Sequence, residues 1–105
     1  MKGMDMNKLM QQAQQMQKKF AQMQEELKDK SVQASAGGGA VTVTATGAKQ
    51  ITEIKIDKDA VDSEDIDMLQ DMILAAVNEA LKNAQEMVEE ETKKLTGGMG
   101  IPGMF

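Results

Sequence analysis

From Met6 to Leu27 the apolar residues fall at intervals of 3, 4, 3, 4, 3 and 4: Met6, Leu9, Ala13, Met16, Phe20, Met23 and Leu27. A strand, with its two-residue period, cannot hold such a repeat on one side. A helix can, because a seven-residue repeat of this kind draws one narrow stripe along its surface. Most of the remaining positions are Gln and Lys, both good helix formers. The spacing predicts a helix over residues 5–28, about 36 Å long at 1.5 Å per residue. Its seam is expected to pack mainly on the rest of the chain near the Leu27 end, with the outer part free for another role; a dimerisation or partner-docking surface is the alternative.

Beyond this helix the period drops to two. In Ser31–Ala36, Val32, Ala34 and Ala36 share one side, and Gly37-Gly38-Gly39 then breaks the pattern. Ala40–Thr46 sets Val41, Val43 and Ala45 against Thr42, Thr44 and Thr46. Gly47-Ala48-Lys49 reads as the next turn, and Gln50–Ile56 as a third strand in which Ile51 has the wrong parity for Ile54 and Ile56. That mismatch predicts a bulge or a residue packed on the other side. A helical stripe returns from Ser63 to Leu95, with Asp62 or Ser63 as N-cap and Thr96-Gly97-Gly98 as the stop. The expected fold class is α+β: α-β-β-β-α, a three-stranded antiparallel meander with two long helices. Residues 1–96 are expected to form one α/β domain, and residues 97–105 a flexible Gly-rich tail.

The core of such a chain is thin. Among 105 residues the only aromatics are Phe20 and Phe105, while Met occurs 11 times, and Met specifies packing poorly. Strands of about 20 Å cover only part of helices of about 36 and 50 Å. The sheet also leaves edges and one open face. Both points favour a homodimer with projecting helical arms.

Several chemistries drop out. Without Cys or His there is no disulfide framework, no thiolate site and no imidazole base or ligand. Asp57, Asp59, Asp62, Glu64, Asp65 and Asp67 lack the glycine and terminal glutamate of a Ca²⁺ loop. Glu89-Glu90-Glu91 points three ways around a helix, and Gly37–Gly39 is followed by no Lys-Ser/Thr and no helix, unlike a phosphate loop. No enzyme, metal, cofactor or small-molecule substrate is expected. No apolar run approaches a membrane span, so the expectation is a cytoplasmic protein without a membrane partner.

Charge is sharply partitioned. The formal net charge is −5 and every cation is a lysine. Residues 1–30 carry six Lys against four acids, whereas residues 57–95 carry four against twelve. An anionic partner is therefore met by the first helix. Lys8 and Lys19 lie about 20° apart around it and about 16 Å apart along it. Lys18 sits beside them, and Gln12 and Gln15 can donate to phosphate oxygens. An ordinary solvated helix surface would show the same local pattern.

Residues 7–27 (NKLMQQAQQMQKKFAQMQEEL), 37–46 (GGGAVTVTAT), 54–57, 67–84 with AAVNEA at 75–80, and the closing PGMF occur in an order that resembles the YbaB/EbfC family over nearly the whole chain. The resemblance implies a tight, tweezer-like homodimer, no enzymatic activity, and nucleoid association through double-stranded DNA. Little base specificity, bending or compaction of the duplex and an influence on gene expression are the expected character of that binding. Candidate DNA-binding residues are Lys8, Gln12, Gln15, Lys18, Lys19, Lys93 and Lys94. The strongly acidic second helix and the absence of Arg, which removes the bidentate fork used on bases and phosphates, set this chain apart. The alternative is a Met-rich helical protein-interaction or scaffold module that does not touch DNA.

Overall fold

A computed structural model of the chain describes residues 6–97. Helix α1 (Met6–Asp29) leads into strands β1 (Ser31–Ala36), β2 (Val41–Thr46) and β3 (Ile51–Ile56); a 3₁₀ turn, Lys58–Ala60, precedes helix α2 (Ile66–Gly97). The sheet order is β1-β2-β3 and both pairings are antiparallel. The expected α-β-β-β-α meander is what forms.

The β1–β2 turn consists of three glycines at φ of 66, 68 and 97°, a run that residues with a Cβ rarely sustain. A side chain at Gly37 would also overlap the Met72 sulfur of α2. In the β2–β3 pair, Thr44 faces Glu53 but Ala45 faces Ile51, so β3 carries one extra residue. This bulge resolves the parity of Ile51: directly opposed residues share a face, so it joins Ile54 and Ile56 on the side of Val41, Val43 and Ala45.

That side is the core. Val41, Val43, Ala45, Ala76, Ala80 and Ala84 are fully buried, and Leu69, Met72, Ile73, Val77 and Leu81 pack around them. Ala76, Ala80 and Ala84 recur every fourth residue, forming a ridge of methyl groups that lets the α2 backbone approach the sheet closely. Burying a valine stabilises by roughly 1.5–3 kcal/mol. Helix α2 lies over β1 and β2 and leaves the β3 isoleucines largely open: Ile51, Ile54 and Ile56 are 36, 46 and 40% exposed.

Two boundaries differ from expectation. Asp65, rather than Asp62 or Ser63, caps α2, accepting the Met68 N–H at 3.2 Å. Asp62 instead closes the preceding turn by accepting the Glu64 N–H at 2.9 Å. The cluster of acids before the helix offers several possible caps, and the turn decides among them. Gly97 lies within α2; the rest of the expected tail lies outside the described residues.

Candidate nucleic-acid interface

The base of α1 is held by its last turns. Leu27 is its only buried residue. The Gly47 N–H donates to the carbonyls of Leu27 and Lys30 at 3.0 and 3.1 Å, so the β2–β3 turn supplies partners for carbonyls that the helix end leaves unused. Lys30 pairs with Glu91 of α2 at 3.7 Å. Further out, a cleft of about 340 Å³ separates Lys19, Gln22, Met23 and Glu26 of α1 from Glu91, Lys94 and Leu95 of α2. The N-terminal turns of α1 run on beyond this cleft. The molecule measures 76 × 25 × 15 Å with a radius of gyration of 20.5 Å, against about 13 Å for a compact domain of this length.

Burial along the seam fades outward. Leu27 is buried and Met23, Phe20 and Met16 are half-buried, while Leu9 and Met6 are 43 and 68% exposed. The seam packs on its own chain at the base, and toward the tip no described residue covers it.

All seven candidate residues are exposed, but the structure divides them. Lys18 shares a shallow surface groove with Gln11, Gln14 and Gln15. Lys19 turns toward the cleft and meets Lys94 there. Lys8 stands nearer the tip. Lys93 lies on another side of α2, with Val88, Glu89 and Thr92, and Gln12 lines neither groove. Lys94 pairs with Glu91 at 3.6 Å, whereas Lys18, Lys19 and Lys93 form no ion pair with any described residue. Gln11, Gln14 and Gln22, absent from the sequence-derived set, belong with these lysines; their spacings of three, four and seven from Lys18 or Lys19 carry that information. A second groove, of about 620 Å³, runs between Lys49 and the α2 residues Asn78, Leu81, Lys82, Gln85, Glu86 and Glu89; its mixed charges suit no single anion.

Among the described residues no group of three or more acids is placed to hold a metal ion, and no helix is long and apolar enough to cross a membrane. The arrangement presents a helical arm with cations and amide donors at its surface, the Lys18 groove lined by α1 residues alone. Such an arm can hold phosphates along a backbone by charge and hydrogen bonds.

Comparison with known proteins places the chain in a family. Residues 1–99 match the model of the YbaB/EbfC DNA-binding family. A nucleoid-associated protein of Acetivibrio thermocellus is 61% identical over 104 residues, covering 98% of this chain and 92% of the relative. One from Pelotomaculum thermopropionicum is 53% identical with both chains fully covered. The crystal structure of an uncharacterized protein from Helicobacter pylori matches with a TM-score of 0.66 at 30% identity, over 91% of this chain and 97% of that one.

Proposed function

The chain belongs to the YbaB/EbfC DNA-binding family, and from that premise we propose that it is a non-enzymatic, nucleoid-associated protein of the bacterial cytoplasm that binds double-stranded DNA as a homodimer. The observation that carries this reading is exposed Lys18 beside Gln11, Gln14 and Gln15 on α1, with Lys19 on the neighbouring side of the same helix and neither lysine ion-paired among the described residues. Two copies of the arm straddle the duplex, with Lys8, Lys18 and Lys19 on phosphates and Gln11, Gln14 and Gln15 donating to neighbouring oxygens. Lys94 joins them at small cost, since an exposed pair like Lys94–Glu91 is worth only about 0.2–1 kcal/mol. Contacts of this kind neutralise backbone charge and read little sequence. Gripping both sides of the duplex bends or compacts it, and any sequence preference arises from DNA shape.

Gel-shift titration with a duplex of arbitrary sequence tests the proposal. With about four to six phosphates neutralised per dimer, the log–log salt slope is expected to be about −4 to −5 between about 50 and 200 mM salt. The double substitution Lys18→Glu/Lys19→Glu is expected to weaken binding at least tenfold, as roughly four contacts per dimer are reversed. Undetectable binding at low salt, or no effect of the reversal, overturns the reading. The exposed Met6, Leu9 and Met10 favour the second reading, a protein-interaction module; partner capture that survives nuclease would support it.

A further inference from the structure

We infer that Met10, with Met6 one turn further out, is a wedge that enters a base step of the duplex from the minor groove and kinks it there. The inference rests on the DNA reading above and adds to it the point at which the arm deforms its target. Met10 is the one large apolar residue of α1 that the heptad seam does not explain. It follows Leu9 directly and so stands about 100° around the helix from the seam. It is nonetheless 57% exposed, and Met6 is 68% exposed. Its neighbours are the groups assigned to phosphates. Gln14 lies about 40° from Met10 and Lys18 about 80° from it, both on the groove formed with Gln11 and Gln15. Along the axis Lys18 is about 12 Å away. A lysine seated on a backbone phosphate therefore sets Met10 over the adjoining minor groove, which is about 6 Å wide.

Charge decides between DNA and a protein as the occupant of this face. From Met6 to Gln24 the helix carries Lys8, Lys18 and Lys19, seven glutamines and no acid, whereas Glu25, Glu26 and Asp29 follow. An acid-free, amide-rich surface is complementary to a polyanion. An apolar side chain set into that surface has bases, rather than phosphates, to contact. Met is unbranched and adaptable, and it is among the side chains that minor-groove proteins use to part stacked bases. Pyrimidine–purine steps unstack most readily, so they are the preferred points of entry.

The test uses the full chain and two short duplexes that differ by one mismatched base pair, which weakens stacking at a single step. The unsubstituted protein is expected to prefer the mismatched duplex about tenfold, because part of the unstacking is already done. Met10→Ala, at a site too exposed to threaten folding, is expected to bind both duplexes equally and to keep the salt slope. Met10→Leu, which retains an apolar wedge, is expected to keep the preference. Closed circular DNA relaxed by a topoisomerase with protein bound gives a second readout. At equal occupancy the unsubstituted protein is expected to lower the linking number and Met10→Ala to leave it near that of free DNA. Equal binding of the two duplexes by the unsubstituted protein, or a Met10→Ala variant indistinguishable from it, overturns the inference and leaves the DNA reading standing. A DNA-free Met10→Ala variant that loses the dimer mass also overturns it, since that assigns the face to a second copy. Absence of binding to either duplex at low salt removes the DNA reading itself, and the inference with it.

Discussion

At Gly47 the requirement is for space. Its backbone is not in the left-handed region, yet a Cβ there would overlap the Leu27 carbonyl oxygen and lie 2.8 Å from the Leu27 Cβ. The same contact carries the two hydrogen bonds that seat the end of α1. Gly47→Ala is therefore expected to destabilise the protein by about 1–3 kcal/mol, as overpacking does in a closed site. Thermal unfolding checks this, with a fall of roughly 4–8 °C per kcal/mol for a domain of this size. An unchanged melting temperature would mean that α1 moves aside freely at its base.

Among the elements, α2 depends on being thin where it crosses the sheet. Ala76, Ala80 and Ala84 have no exposed surface, so a larger side chain has nowhere to go. Ala80→Leu is expected to cost about 1–3 kcal/mol, seen as a lower denaturant midpoint at unchanged slope. The helical stripe of α2, the parity of Val41, Val43 and Ala45, and the seam of α1 were all legible in the sequence, because each follows from the period of one element. The misplaced parity of Ile51 announced a bulge in the same way. The cap of α2 was not legible, since Asp62, Ser63 and Asp65 are all competent and only the turn before the helix decides. For the candidate site, the sequence named lysines that the structure places at the surface of α1 and α2. It did not separate Lys18 from Lys19, nor Lys93 from Lys94, because which helix faces which depends on packing between distant segments.

For the whole molecule the open question of the core is what covers β3. Ile51, Ile54 and Ile56 are exposed beside the buried core, and Val61, Ile66, Met68 and Leu74 are between 45 and 61% exposed. That much open apolar surface on a small chain marks an interface, and the proposed dimer provides a second copy to bury it. Ile54→Glu puts a charge on that face and is expected to shift the protein from twice its 11.4 kDa chain mass to the single mass, read by light scattering. DNA affinity should fall with it, since one arm in place of two halves the phosphate contacts. A variant that keeps the doubled mass would exclude this face from the dimer. The anchorage of α1 has its own consequence at this scale. Most firmly held around Leu27, its one buried residue, the helix is a lever whose tip at Met6 stands about 32 Å from its bearing. A tilt of about 10° at Gly47 sweeps that tip through roughly 5 Å, so in the proposed dimer the spacing of the two arms is set at a glycine in the body of the molecule.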